Sequence, residues 1–357
     1  MMVDHLNSQF SSQQADTSFR TRFAYLTGND PYEWQTALFC SFVRGAIPPN
    51  LSLPTGSGKT NAIVCWLLAL CENPELPRRL VYVVDRRSVV DQSTKVVEDI
   101  AAKLRLESPP IASVRCALAK MAGGEEPLGI STLRGEFQDN QEWSRFPFRP
   151  AVVCGTVDMV GSRLLFSGYG DRAYSRSLHA GLLGNDTLVI FDECHLVPEF
   201  GNTLRLVKEA GGKLKAFHYM LMSATSADQD AIQISETDLN SAILGTRLRA
   251  SKKLQLVDTD KPIIAHMSNI AQADPPQRTI VYVRSPKDAV TIAESLKKKH
   301  KNVVTLTGTM RGKERDELVD NPVFKAFAIW LVGFGLSGGD YANGGRIRFC
   351  RRMMCYE

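Results

Sequence analysis

The sequence predicts an α/β protein: a parallel sheet flanked by helices, followed by an incomplete second lobe of the same kind. Three observations lead there. Short runs rich in β-branched residues alternate with amphipathic stretches. Several of those runs are continuously apolar, as strands buried on both faces must be. A break in texture over Ser251–Gln277 is then followed by one more strand–helix–strand set.

In order, the first set of strands is Leu51–Leu53 (LSL), Arg79–Asp85 (RLVYVVD), Ala151–Thr156 (AVVCGT), Thr187–Asp192 (TLVIFD) and His218–Thr225 (HYMLMSAT). In the intervening stretch SVVDQSTKVVEDIAAKLR, residues Val89, Val90, Val96, Val97 and Ile100 recur near helical spacing. Residues Met121–Pro150 show little periodicity and are expected to form an insertion or a long loop. Strands Thr279–Arg284 and Asn302–Gly308 flank the helical stretch PKDAVTIAESLKKKH, a βαβ unit that opens a second domain. The expected boundaries are a flexible tail over 1–18, a first domain over 19–245 and a linker over 246–277. A partial second domain follows over 278–328, then an aberrant or disordered tail over 329–357.

The 357 residues are 44% hydrophobic and 23% charged, which is globular rather than disordered composition. The longest apolar runs, Ala62–Cys71 and Ala326–Leu336, fall far short of the roughly 18 residues of a membrane span. With no basic-then-apolar leader pattern, the expectation is a cytoplasmic chain with no membrane partner. Eight scattered cysteines show no CxxC pair and no zinc spacing, so buried free thiols are expected. From Ala250 onward there are 18 Lys and Arg against 11 Asp and Glu. Such a basic half suits a nucleic-acid face or a solvated helix equally.

The chemistry starts at NLSLPTGSGKT, Asn50–Thr60. The strict phosphate-loop pattern wants glycine where Leu53 stands, but the physics is intact. Gly56 and Gly58 let the backbone curl so that the amides of Thr55, Gly56, Ser57 and Gly58 point at phosphate oxygens at the positive end of the following helix. Lys59 would reach the β- and γ-phosphates, and Thr60 would offer a hydroxyl to Mg²⁺. LVIFDECH then runs apolar residues into Asp192, which would hold Mg²⁺, and Glu193, which would orient the attacking water. An acidic turn after a strand is common. One that reads D-E-C-H, 133 residues after Lys59 and 31 before the Ser223-Ala224-Thr225 triplet, is not. Gln35, in DPYEWQ, has an amide able to pair with an adenine edge and so select ATP; a solvated helical residue is the other reading.

The order WQ, PTGSGKT, DECH, SAT resembles superfamily 2 helicases. The stretches VYVVDRRSVVDQ, VVCGTVDMVGSRLLFSGYG and LTGTMRGKERDEL are similar to the CRISPR-associated helicase–nuclease of type I systems, above all its type I-G (formerly I-U) branch. The similarity runs from about Phe19 to Phe324. It implies RecA-like lobes of the P-loop NTPase kind and a monomeric 3′-to-5′ translocase on single-stranded DNA, using ATP and Mg²⁺. It also implies recruitment by a CRISPR surveillance complex with its guide RNA. By the same resemblance Arg86, Arg87, Gln92, Thr156 and Asp158 lie along the DNA track, although Arg86 and Arg87 also suit plain surface charge at a helix start. Ser223, Ala224 and Thr225, with His195, would link nucleotide state to DNA grip; Arg284, Ser285 and Arg311 would be the second lobe's share of the track.

Two departures stand out. There is no His-Asp dipeptide for the family's nuclease, and no Q-R-x-G-R-x-x-R arginine-finger stretch. Six glycines among Gly333–Gly345 and a terminal Arg/Met/Cys mixture suggest a truncated or frameshifted product, with the frame lost near Ile329; a divergent short tail is the alternative. Such a chain is expected to bind ATP and turn it over poorly. An RNA helicase, a restriction-type translocase and an inactive nucleotide-binding fragment are the competing readings.

Overall fold

Seven strands make up the first sheet: β1 (Asn50–Ser52), β2 (Arg79–Val84), β3 (Gly129–Leu133), β4 (Ala151–Thr156), β5 (Thr187–Asp192), β6 (Phe217–Ser223) and β7 (Ile232–Gln233). They lie in the order β3-β4-β2-β5-β6-β1-β7, and every pairing is parallel. The computed structural model describes residues 17–124, 126–134, 142–211, 217–224, 231–250, 279–283, 285–298, 303–307 and 329–333.

All six residues of β2, β4 and β5 are buried, which is why their interiors are largely apolar and their polar residues, Arg79, Thr156, Thr187 and Asp192, stand at the strand ends. Their side chains alternate between two cores. Leu80, Tyr82, Val84, Val152, Cys154, Leu188 and Ile190 pack with a helix over residues 17–27 (α1), α2 (Glu33–Val43), α3 (Ala62–Glu72), α4 (Arg87–Arg105) and α5 (Ala112–Ala122). Val81, Val83, Val153, Val189 and Phe191 pack with α6 (Glu142–Arg145), α7 (Val157–Leu164), α8 (Ala173–Leu183) and α9 (Pro198–Ala210). Helix α3 is buried from Ala62 to Leu70, so it is apolar all round and shows no helical stripe. Two short helices, α10 (Glu236–Leu239) and α11 (Leu244–Arg249), follow β7. No described helix is long and apolar enough to cross a membrane.

The segment expected to be an insertion is part of the sheet. Within Met121–Pro150, β3 pairs with β4 from Gly129↔Ala151 to Leu133↔Gly155, and Trp143 on α6 is 1% exposed. As an edge strand β3 alternates buried and half-buried residues, so GISTL lacks the continuous apolar run that marks β2, β4 and β5.

The chain divides into two units, Met1–Arg249 and Ala250–Glu357. The second holds β8 (Thr279–Val283), α12 (Pro286–Lys297), β9 (Val303–Thr307) and β10 (Ile329–Gly333). Ser285 caps α12, its hydroxyl accepting from Asp288 N at 3.1 Å, and Ala289, Ile292, Ala293 and Leu296 are the helix's buried stripe. The sheet order is β8-β10-β9, all parallel. Residues 329–333, expected to open an aberrant tail, form the central strand instead. Five residues of IWLVG suffice to complete ladders on both sides, whatever composition follows them. Residues 334–357 lie outside the described residues.

The register of the first sheet positions the site. Ser52 pairs with Ser223, Asp192 with Met222, and Val84 with Thr156. The segments that follow β1, β2, β4, β5 and β6 therefore leave from one edge, the carboxyl edge where open parallel sheets bind ligands.

Candidate nucleotide site

From β1 the chain turns through Pro54–Gly58 into a short 3-10 turn, Lys59–Asn61, and then α3. Gly58 has φ 77° in the left-handed region, and a Cβ there would come within 3.1 Å of Gln35 Nε2. Thr55 and Gly56 are exposed at the tip, whereas Ser57 is buried with its hydroxyl donating to Pro54 O at 2.8 Å. Helix α2 grips the loop from below: Trp34 Nε1 donates to Ser57 O at 3.1 Å and Gln35 Nε2 to Gly58 O at 3.3 Å. The other end of the Gln35 amide accepts from Tyr32 N at 2.9 Å. Gln35 is 1% exposed, which removes the solvated-helix reading.

Helix α2 is itself pinned. The carboxylate of Asp238, 2% exposed, accepts from Glu33 N at 2.6 Å and Trp34 N at 3.3 Å, closing the helix N-terminus from 205 residues away. Sequence reasoning missed Asp238. Its local signal, the Ser235–Asp238 capping box, explains only α10.

Strand β5 delivers Asp192 to the same edge. Glu193 follows at φ 53°, an uncommon conformation for a residue with a side chain, and its N–H donates to Asp192 Oδ1 at 2.9 Å. Lys59 Nζ sits 2.5 Å from Glu193 Oε1 and 3.1 Å from Asp192 Oδ1. The ammonium thus joins the phosphate loop to both acids of DECH.

Tyr82, fully buried on β2, donates its hydroxyl to Asp192 Oδ2 at 2.7 Å and shares a hydrogen bond with the Thr60 side chain. Burial first, and the Asp192 carboxylate second, hold the phenol well above its ordinary 10.0, so it stays a donor. This residue too went unnoticed in the sequence. Its signal was one hydroxyl in an otherwise aliphatic strand interior, where a polar group must find a partner. Thr60 and Asp192, both within hydrogen-bonding reach of one phenol, place two hard oxygen donors together, a donor set that would suit Mg²⁺.

The turn Cys194–Leu196 sets His195 Nδ1 3.3 Å from Ser223 Oγ at the end of β6 and 3.6 Å from Glu193 Oε2. DECH and SAT therefore meet through one imidazole. Ala224 follows, half-buried, and Thr225 lies outside the described residues. Burial, then Asp192, raises the Cys194 thiol above its ordinary value, so it is a neutral neighbour.

The remaining expected residues lie along the same edge or beyond description. Arg86 stands at the position just before α4, Arg87 begins the helix, and both are exposed, as is Gln92. Helix α4 is fastened to β3 by the Arg134–Asp91 ion pair and by the Thr94 and Thr132 hydroxyls at 3.1 Å. Thr156 is buried and caps α7, accepting from Met159 N at 3.4 Å, while Asp158 stands exposed in the first turn. Arg284 and Arg311 lie outside the described residues.

A family model described as DEAD/DEAH box helicase matches residues 44–234. No curated protein matches the chain. Among solved structures, the fold is similar to the DUF1998 helicase MrfA bound to DNA and AMPPNP, at 16% identity and TM-score 0.54, covering 87% of this chain and 43% of that one. It is also similar to S. cerevisiae Dbp5 bound to RNA and ADP BeF3, at 15% identity and TM-score 0.53, covering 85% and 70%. The DEAD-box helicase Mss116 bound to ssRNA and UDP-BeF gives 15% identity and TM-score 0.52, covering 85% and 61%. At such identities the likeness is one of fold, that of RecA-like helicase cores. The chain spans less than half the length of the MrfA structure.

Proposed function

The chain belongs to the DEAD/DEAH box helicase family, and from that premise we propose that it is the ATP-binding part of a motor that moves along single-stranded DNA. The observation that carries the reading is the Lys59 ammonium held between Asp192 and Glu193, 3.1 and 2.5 Å away. A phosphate-loop lysine and two acids meet at one sheet edge, which is the donor and acceptor set of a nucleoside triphosphatase.

In this mechanism the amides of Thr55–Gly58 and the Lys59 ammonium take the β- and γ-phosphates. Lys59 leaves the carboxylates to do so, and Glu193 becomes free to accept a proton from the attacking water. Thr60 and Asp192 would hold Mg²⁺, which would supply charge neutralisation to the phosphates, and Tyr82 keeps Asp192 oriented. Gln35 either keeps its hold on Gly58 or exchanges it for an adenine edge. His195, on Ser223, carries the change at Glu193 to the segment after β6. Arg86, Arg87 and Gln92, exposed at the start of α4, take the strand's phosphates without reading its sequence, and Thr156 and Asp158 at the start of α7 border the same track.

The similarity of VYVVDRRSVVDQ and VVCGTVDMVGSRLLFSGYG to CRISPR-associated helicases supports a finer reading: a monomeric cytoplasmic motor recruited by a guide-RNA surveillance complex. These 357 residues hold no Q-R-x-G-R-x-x-R stretch, so this polypeptide alone is expected to bind ATP and hydrolyse it slowly. The test is ATP hydrolysis by the purified chain with no nucleic acid, with single-stranded DNA and with single-stranded RNA, beside Lys59→Ala. Stimulation by DNA, lost in the variant, is expected. Stimulation by RNA alone would move the motor to RNA, and nucleotide binding unchanged by Lys59→Ala would remove the reading.

A further inference from the structure

The loop after α7 presents its rings to water. Phe166, Tyr169 and Tyr174 are 61%, 59% and 75% exposed, within nine residues of one another. Single exposed apolar side chains are ordinary, but a run of large rings marks a surface with a use. Phe166 also has φ 62°, a left-handed conformation that a bulky residue keeps only where its surroundings impose it.

Those surroundings are a buried charge network. Arg163 Nη2 lies 3.0 Å from Asp171 Oδ1, and His179 Nδ1 lies 2.7 Å from Asp171 Oδ2. All three side chains are at most 6% exposed. The loop backbone closes on itself through Phe166 N to Arg163 O at 3.2 Å, Ser167 N to Ser162 O at 2.7 Å and Asp171 N to Gly168 O at 3.2 Å. Gly168 is required there, since a Cβ would overlap the Asp171 carboxylate. The rings are therefore held outward by a fixed scaffold.

Charge says what they face. Between Leu165 and Leu178 the one acid is Asp171, and it is buried against Arg163 and His179. Arg172 and Arg176 are exposed, and Arg172 Nη1 donates to the Tyr174 hydroxyl at 3.3 Å. The outward surface is aromatic and positive. Rings stack on any base and guanidiniums take phosphates, the combination that holds an unpaired strand without reading its sequence. Helix α7, which leads into the loop, starts at Thr156 and Asp158 on the carboxyl edge.

We propose that Phe166, Tyr169 and Tyr174, with Arg172 and Arg176, form a platform on which bases of a single DNA strand stack. The platform rests on the reading of the chain as a motor on single strands. The test titrates the full chain, with AMPPNP, into a labelled DNA strand of about 20 nucleotides carrying a fluorescent adenine analogue that is quenched by stacking. The combined variant Phe166→Gly, Tyr169→Ala, Tyr174→Ala is expected to bind about 100-fold more weakly and to lose the quench, with AMPPNP binding unchanged. Glycine at position 166 keeps the backbone conformation without strain. The pair Tyr169→Phe, Tyr174→Phe keeps the rings and is expected to keep both signals. Arg172→Gln with Arg176→Gln should reduce the salt dependence while leaving the quench.

A ring-free variant that binds and quenches as the unaltered chain does would overturn the platform alone. So would one whose single deficit is capture of a protein partner. Should the unaltered chain bind no single strand in any nucleotide state, the motor reading and the platform fall together.

Discussion

The ammonium of Lys59 lies 2.5 Å from Glu193 Oε1, a contact between residues 134 positions apart. In the proposed mechanism the cation that would take phosphate is thus occupied by the acid that would act on water. Nucleotide binding would then be an exchange of partners, and removing one acid would bias the exchange.

Glu193→Gln should therefore separate affinity from turnover. The pair is partly buried, with Glu193 29% exposed, so its release is worth about 1 kcal/mol, or about fivefold tighter AMPPNP binding. Hydrolysis should fall about 100-fold or more, because the amide cannot accept the proton. A titration with a fluorescent nucleotide and a single-turnover assay read the two effects. Affinity that stays level or weakens would show that Lys59 is not held back by Glu193.

Alkaline pH should unfold the protein through groups that keep their protons only when folded. Burial raises the Cys65 thiol far above its ordinary 9.0 and pushes Cys154 up to about 12; Tyr82 stands well above its ordinary 10.0. Each folded value exceeds the unfolded one, so above the unfolded value the unfolded chain binds fewer protons than the native chain. Stability is then complete below about pH 9 and falls as pH rises past the thiols and then the phenol. Each group adds a slope of about 1.4 kcal/mol per pH unit. Urea midpoints measured across that range check the fall, and Tyr82→Phe should remove the phenol's share of it. A midpoint that is constant from about pH 8 to pH 11 would contradict the assignment.

What the sequence made legible follows burial and locality. Strands β2, β4 and β5 could be bounded to within a residue because burial on both faces leaves their interiors largely apolar between polar ends. Strand β3 alternates at the sheet edge and β7 is two residues long, so both lack that signature, whereas β10 has an apolar run, IWLVG, that the glycine-rich stretch after it obscures. At the site, Lys59, Asp192 and Glu193 announce themselves through local motifs. Tyr82 and Asp238 do not, because their partners lie 110 and 205 positions away and no short pattern encodes such a meeting.

Asp238 offers a test of how α2 supports the phosphate loop. Its carboxylate is buried and accepts from two amides at the start of α2, one residue before Gln35 reaches Gly58. Asp238→Ala leaves those donors without an acceptor and should cost about 1–2 kcal/mol of stability, the upper range for a lost helix cap. AMPPNP affinity should also fall several-fold, because Trp34 and Gln35 lose their anchor. Asp238→Asn, which retains an acceptor, should recover most of both. A loss of stability with untouched nucleotide affinity would mean that the loop holds its shape without α2.

The network beneath the exposed rings makes the largest stability prediction. Arg163 is 4% exposed, and Asp171 is its carboxylate partner. Its Nη1 reaches Met159 O at 3.2 Å, but a neutral carbonyl does not balance the charge. Asp171→Ala would strand that guanidinium in the interior and cost about 3–5 kcal/mol, against a far smaller cost for a surface pair. The same reasoning predicts relief: Arg163→Met in the Asp171→Ala background removes the stranded charge and should return part of the loss. Denaturation midpoints of the two single variants and the double variant form a cycle that isolates the coupling. If the double variant were less stable than Asp171→Ala alone, the cost would lie in lost packing around Arg163, and the ion pair would not be what holds the loop.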